Sequence, residues 1–207
     1  MANRFPLTLL AVTAAVFVWS GVHPHDRFTW FLEVFPVILV VPVLLFTRRR
    51  FPLTPLLYVL IALHAIILMV GGKYTYAEVP LGFWFQEWLG LSRNHYDRLG
   101  HFAQGFVPAI AAREIFIRFG QLPQRRWLNP IIVAVCLAIS ALYELLEWAV
   151  AEMTGSAAEA FLGTQGDVWD TQKDMFLALI GATCALVLLS RLHDRYLKAP
   201  ESRVRRG

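Results

Sequence analysis

Acidic side chains and one imidazole recur at helical spacing within otherwise apolar stretches of this chain. Three pairs show the pattern: Asp97 with His101, Glu144 with Glu147, and Asp170 with Asp174. Residues three or four positions apart lie on the same face of a helix. A carboxylate at the centre of a membrane helix costs about 2.5–3.5 kcal/mol on insertion scales. Ionisable groups in such stretches therefore indicate function, with a partner to be found.

A bound divalent metal ion is the chemistry that these three pairs suggest. Several carboxylates cannot all stay ionised close together in a medium of low dielectric constant unless a cation is present or some are protonated. Helix bundles build metal sites from carboxylates and histidines at short helical spacings. Oxygen-rich ligands with one histidine favour Mg²⁺, Mn²⁺, Zn²⁺ or iron over copper. The candidate metal ligands are Asp97, His101, Glu144, Glu147, Asp170 and Asp174.

Catalytic roles can be assigned within this set. Glu144 or Glu147 is the candidate general base, and His101 is a candidate metal ligand or general acid. Glu33 and His64 fall in the same half of two other apolar stretches and could join the site, but each alone is typical of a core polar residue.

Each pair also has a purely structural interpretation. Asp97 and His101 can form a hydrogen-bonded pair that only stabilises the fold. Glu144 and Glu147 can form salt bridges that fix helix packing. Carboxylates such as Asp174 near the start of a helix suit the positive end of its dipole.

Six apolar stretches are available to position these groups. A helix that spans the hydrocarbon core needs roughly 20 mostly apolar residues, and 57% of the chain is hydrophobic while only 16% is charged. The candidate spans are 5–22, 28–46, 51–72, 97–118, 130–152 and 172–192. We therefore predict an all-α, polytopic membrane helix bundle. Residues 1–207 form a single membrane domain, which ends in a basic tail over 193–207.

The distribution of basic residues predicts an orientation for this bundle. Fourteen of the 19 Lys and Arg residues fall on one side if six helices cross the membrane. The positive-inside rule places that side, with both termini, in the cytoplasm. The three acidic pairs then lie at similar depths in the outer half of the membrane. The basic excess is thus a topology signal, and we expect no nucleic-acid partner.

The loop over residues 73–96 falls on the outer side in this topology and is rich in Tyr, Trp and Phe. Tyr and Trp favour the headgroup region of a bilayer. We therefore predict an interfacial segment along the outer membrane surface.

Four runs of sequence carry a resemblance to a known family. They are GGKYTYAEVP, NHYDRLGHFAQGF, ELLEW and GTQGDVWDTQKDM. These runs resemble the YjdF family of bacterial inner-membrane proteins, and the similarity extends over most of the chain. The resemblance implies a multi-pass protein of the bacterial inner membrane, in a family to which no reaction is assigned.

The order of motifs is also similar to that of the VanZ-like membrane proteins. Those proteins pair an Asp-Lys/Arg-x-x-His run with a later Glu and a closing pair of Asp residues. The matching positions here are Asp97, Arg98 and His101, then Glu144 or Glu147, then Asp170 and Asp174. Ala178 stands where such proteins often carry an Asn, so this chain departs from the pattern there. The association of VanZ-like proteins with glycopeptide tolerance implies envelope chemistry.

These observations lead to one principal functional hypothesis and two alternatives. The principal hypothesis is a metal-assisted hydrolase or transferase that acts on a lipid or lipid-linked substrate at the outer leaflet. A divalent ion there would polarise a phosphoryl or ester oxygen, or activate water. The alternatives are a proton-coupled transporter and a non-catalytic membrane structural protein.

Overall fold

The computed structural model describes residues 5–120, 125–154 and 164–204, and these residues form seven α-helices, two short 3-10 helices and no strand. The α-helices are α1 (Phe5–Gly21), α2 (Arg27–Thr47), α3 (Pro55–Tyr74), α4 (Pro80–Leu89), α5 (Tyr96–Phe119), α6 (Leu128–Thr154) and α7 (Asp170–Val204). The 3-10 helices are Tyr76–Glu78 and Arg125–Trp127. The predicted all-α membrane bundle is confirmed.

Four of these helices, α2, α3, α6 and α7, are long and apolar enough to cross a membrane, and α1 is a shorter apolar helix. The central helix α5 carries more polar residues, but its 24 residues extend about 36 Å at 1.5 Å per residue. It is surrounded by α3, α6 and α7. Its polar side chains Asp97, His101, Arg113 and Glu114 are buried within the bundle and are thus shielded from the hydrocarbon.

Two helix ends differ from the sequence prediction by four residues or more, and the others by one or two at most. The third span begins at Pro55 rather than at residue 51, because the side chain of Thr54 caps the helix and Pro55 starts it. The last helix continues beyond residue 192 to Val204, through most of the predicted basic tail. Residues 192–198 contain no Gly or Pro, so nothing in that stretch terminates the helix.

The helices α5 and α7 approach until their backbones touch. A Cβ atom built on Gly105 would lie 1.9 Å from the carbonyl oxygen of Ala178, and one built on Gly181 would lie 2.1 Å from that of Phe102. Only glycine fits at such a contact, as at the close helix pairs of other membrane bundles. This contact fixes the distance between side chains that α5 and α7 project toward the same end of the bundle.

The remaining helices form an incomplete ring around one side of α5. Helix α2 packs on α3, α3 packs on α5, and α5 packs on α6. Helix α1 covers α3 from outside, and α7 closes the other side of α5 and α6. Within the described ranges, α2 and α6 do not pack along each other. The ring is therefore open between α2 and α6.

The short helix α4 occupies the predicted interfacial segment. Its aromatic side chains Phe83, Trp84, Phe85 and Trp88 are exposed. Its Gly82 lies against Asn94, whose side-chain amide donates a hydrogen bond to the carbonyl oxygen of Val79. This contact holds an aromatic helix of the interfacial type beside the start of α5.

Candidate functional site

The first turns of α5 present a buried histidine between polar neighbours. The Nε2 atom of His101 lies 3.4 Å from Oδ1 of Asp97. On the other side of the ring, Nδ1 lies 3.3 Å from Oε1 of Gln104 and 3.5 Å from Oε1 of Glu144. Asp97 and His101 thus share a helix face, as their spacing predicted.

Helix α7 brings a third candidate ligand, Asp174, to this histidine and Asp97. Asp97, His101 and Asp174 each offer one ligand atom, and these three atoms all lie within 4.8 Å of one another. All three side chains are buried. We refer to Asp97, His101 and Asp174 as the ligand group.

The donor atoms of this region fit a divalent cation. Oδ1 of Asp174 and Oε1 of Glu144 are buried and have no hydrogen-bond partner within the described part of the chain. A buried acceptor without a partner costs about 1–3 kcal/mol, and more when it is charged. Coordination of a cation would satisfy both oxygens, and carboxylates with one imidazole are a ligand set for Mg²⁺, Mn²⁺ or Zn²⁺.

Helix α6 contributes a polar face with Ser140, Glu144 and Glu147, all of which are buried. Glu144 lies beside His101, whereas Glu147 faces a cavity that Asp97 and His101 also line. The hydroxyl of Ser140 has no hydrogen-bond partner among the described residues. The two glutamates therefore occupy different positions, one against the histidine and one on the cavity wall.

The remaining candidate ligand, Asp170, is bound by an arginine. Its Oδ1 atom lies 2.6 Å from a guanidinium nitrogen of Arg93, which also donates to the carbonyl oxygen of Thr164. Asp170 lies one helical turn before Asp174 but is not a member of the ligand group. Its contact with Arg93 fastens the start of α7 to the segment that precedes α5.

A second ion-pair cluster lies in the loop before α7. Asp167 accepts hydrogen bonds from Lys173 at 2.6 and 2.8 Å and lies 3.2 Å from Arg98. The hydrogen bond from Lys173 and the backbone N–H of Trp169 hold the pKa of Asp167 below its ordinary value. The cluster ties this loop to the N-terminal end of α5.

A cavity of about 380 Å³ lies inside the incomplete ring of α2, α3, α5 and α6. One end is polar and is lined by Glu33, Tyr76, Asp97, His101, Tyr143 and Glu147. The rest is largely apolar, with walls that include Val37, Val40, Ile61, Leu68, Val107 and Ile139. Ligand sites commonly have this size and this combination of an apolar lining with a few polar groups.

Glu33 joins the polar end of the cavity. It is 3% exposed, and its Oε2 atom accepts a hydrogen bond of 3.2 Å from the hydroxyl of Tyr143. Sequence reasoning did not single out Tyr143, although it lies four residues before Glu147 and thus on the same helix face. His64 also lines the cavity, and its Nε2 atom is buried without a partner among the described residues.

A separate buried network lies at the opposite end of the bundle and was missed by sequence reasoning. The carboxylate of Glu114 accepts hydrogen bonds from the backbone N–H and the hydroxyl of Thr54, at 2.9 and 2.7 Å. Nε2 of His193 lies 3.0 Å from the same carboxylate, and Arg113 lies 2.9 Å from Nδ1 of His193. Since an arginine can only donate, Nε2 carries the proton that His193 gives to Glu114.

Comparison with known proteins identifies relatives along nearly the whole chain. Residues 5–195 match the family described as predicted membrane protein, DUF2238. The chain is 58% identical over 196 residues to the "Inner membrane protein YjdF" of Escherichia coli (strain K12), which covers 95% of this chain and 92% of that protein. No solved structure matches. The resemblance seen in the sequence is confirmed, and the chain belongs to the predicted membrane protein family DUF2238.

Proposed function

We propose that this protein is a metal-dependent hydrolase or transferase that acts on a lipid or lipid-linked substrate. The observation that carries the proposal is the position of the ligand group, two of whose members, Asp97 and His101, line the polar end of a largely apolar cavity while Asp174 lies beside them. A divalent ion bound there would polarise a phosphoryl or ester oxygen of the substrate or lower the pKa of a bound water.

The side chains of α6 have distinct roles in this proposal. Glu147 lines the cavity and is therefore within reach of a substrate, which favours it as the general base. Oε1 of Glu144 lies 3.5 Å from Nδ1 of His101 and has no hydrogen-bond partner among the described residues, which favours Glu144 as an additional ligand or as the residue that orients His101.

The reaction is assigned to the outer leaflet of the bacterial inner membrane. The excess of Lys and Arg on one side of the predicted topology supports cytoplasmic N- and C-termini. The name of the Escherichia coli relative supports the inner membrane as the location. In that orientation the ligand group lies in the outer half of the bilayer.

Metal analysis of purified protein tests the proposal, with two aspartates of α7 as a matched pair. Asp174→Asn removes a member of the ligand group, whereas Asp170→Asn makes the same change one turn away, at a residue held by Arg93. We expect stoichiometric Mn²⁺ or Zn²⁺ in the wild type and in Asp170→Asn, and a loss of the ion in Asp174→Asn. Absence of a tightly bound divalent ion from the wild type refutes the proposal.

The catalytic role is tested by lipid mass spectrometry. Inner-membrane vesicles containing the wild type or Glu147→Gln are incubated with Mn²⁺, and changes in the lipid profile are followed over time. We expect Glu147→Gln to retain the ion and to lose turnover by about 10²–10⁴-fold, the usual contribution of a general base. Equal turnover in both proteins would remove Glu147 from the mechanism.

Proton-coupled transport is a second candidate, favoured by the buried Glu114 and His193 at the other end of the bundle. Buried carboxylates in both halves of a membrane bundle are typical of proton relays. However, ten residues of α5, about 15 Å, separate Gln104 from Glu114. Transport predicts pH-driven flux in proteoliposomes that Glu144→Gln abolishes, without a tightly bound metal ion.

A further inference from the structure

The open side of the helix ring leads into the cavity. Val40 on α2 and Ile139 on α6 both line the cavity, and each is 41% exposed on the surface of the bundle. A residue that borders both the cavity and the exterior marks the place where the two meet. Because α2 and α6 do not pack along each other in the described residues, the opening lies between them.

The surface around this opening is apolar. Phe35, Leu39 and Val43 of α2 are exposed, and so are Leu142, Leu145 and Leu146 of α6. Both helices are long and apolar enough to cross the membrane. The opening therefore faces the hydrocarbon of the bilayer rather than water.

We propose that this opening admits one hydrocarbon chain of a membrane lipid from the side. The chain occupies the apolar part of the cavity, and the lipid headgroup lies at the polar end, beside Asp97, His101 and Glu33. The chemistry at the headgroup rests on the proposed function, whereas the binding of the chain does not depend on it.

The two ends of the cavity make different contributions to such binding. A lipid tail leaves an environment that is as apolar as the cavity wall, so moving it inside yields little hydrophobic free energy. Selectivity must then come from the polar end, where several carboxylates and one imidazole meet the headgroup. The carboxylates of the polar end therefore favour lipids whose headgroup carries a cation or binds the same cation as these carboxylates.

The hydrogen bond from Tyr143 to Glu33 crosses the opening at its polar end. It joins α6 to α2, which otherwise have no extensive contact in the described residues. The way in for a hydrocarbon chain is therefore the stretch between Val40 and Ile139, below this bond.

Photocrosslinking in proteoliposomes tests the proposal. The probe is a phosphatidylglycerol with a diazirine near the end of one acyl chain, and the labelled peptides are identified by mass spectrometry. Val107 of α5 lines the cavity but is only 7% exposed, so bulk lipid does not reach this residue. We expect labelling of α5 around Val107. Labelling confined to the outward faces of α2 and α6 would overturn the proposal.

Paired substitutions at the opening provide a second arm. Val40→Trp combined with Ile139→Trp fills the opening, whereas Leu39→Trp combined with Leu142→Trp places the same bulk at neighbouring positions that are 53% and 58% exposed and do not line the cavity. We expect the first variant to reduce labelling of α5 about tenfold, equivalent to about 1.4 kcal/mol. The control variant should label α5 like the wild type. Equal labelling in both variants contradicts lateral entry.

Mn²⁺ binding measured on the same proteins separates this proposal from the proposed function. A wild type that binds Mn²⁺ but shows no labelling of α5 would overturn the lateral entry of a lipid chain alone. A wild type that is labelled at α5 but binds no metal would overturn the proposed function alone.

Discussion

A single methyl group at Gly181 should separate α7 from α5 and weaken metal binding. Gly181 lies seven residues after Asp174, about 10 Å along α7. A Cβ atom at this position would lie 2.1 Å from the carbonyl oxygen of Phe102, and Cβ contacts under 3.0 Å essentially never occur. The atom it meets belongs to backbone, so a side-chain rotation cannot relieve the clash. The helices themselves must move apart.

The size of the effect follows from these distances. To lengthen the contact between this Cβ atom and the carbonyl oxygen of Phe102 from 2.1 to 3.0 Å, the two backbones must move apart by at least 0.9 Å. Metal–ligand distances tolerate deviations of only about 0.2 Å, so Asp174 would no longer reach an ion held by Asp97 and His101. We expect Gly181→Ala to weaken Mn²⁺ binding by about 10–100-fold, as for other changes that displace ligands. The overpacking should also lower the free energy of unfolding by about 1–3 kcal/mol.

Two measurements on purified protein in detergent check this expectation. Free Mn²⁺ is followed by electron paramagnetic resonance during titration, and stability is followed by thermal unfolding. The control is Thr183→Val, two residues further along α7 at an exposed position. We expect the control to bind Mn²⁺ like the wild type. If Gly181→Ala is less stable yet binds Mn²⁺ with unchanged affinity, the helix contact does not set the ligand spacing.

Three further changes test other contacts. Glu114→Gln breaks a buried ion-paired network and should lower the free energy of unfolding by about 3–5 kcal/mol in denaturant titrations; a loss below 1 kcal/mol would contradict a stabilising role. Tyr143→Phe removes the hydrogen bond that joins α6 to α2 through Glu33 and should therefore increase photolabelling of α5. Unchanged or reduced labelling would show that this bond does not restrict the opening. Because the hydrogen bond from Lys173 lowers the pKa of Asp167 below 3.8, the ionised group stabilises the fold above pH 3.8, and this stability is lost as the pH falls through the lowered pKa. The unfolding temperature should drop in that interval, and Asp167→Asn should flatten the drop.

The site was predictable where it depends on helix periodicity. The spacing of Asp97 and His101 places them on one face whatever the tertiary structure is. The predicted topology places Asp174 at the same end of the bundle, and in the structure the ligand atoms of the three side chains lie within 4.8 Å of one another. The apolar stretches likewise predicted the helices, because length and hydrophobicity decide whether a segment can form a membrane helix.

Other features depend on contacts between segments that are distant in sequence. The ion pair of Arg93 with Asp170 depends on the paths of two loops, and helical periodicity does not define those paths. His193 falls in the predicted basic tail, yet it is fully buried, because α7 continues through this stretch and places His193 against Glu114. The gap between α2 and α6 follows from the order of helix packing, which hydropathy does not encode.

The Glu114 network makes the rigidity of the bundle uneven. Its carboxylate joins Thr54 at the start of α3 to His193 of α7, while Glu114 itself belongs to α5. Three helices are thus pinned together at one end by charged hydrogen bonds within the protein. The distal ends of the same helices meet around carboxylates that repel one another in the absence of a cation. The ion pair of Arg93 with Asp170 opposes this repulsion at the start of the last helix. Without a cation, amide exchange in α5 and α7 should therefore be slowest in the turns around Glu114 and faster in the turns that carry Asp97 and Asp174.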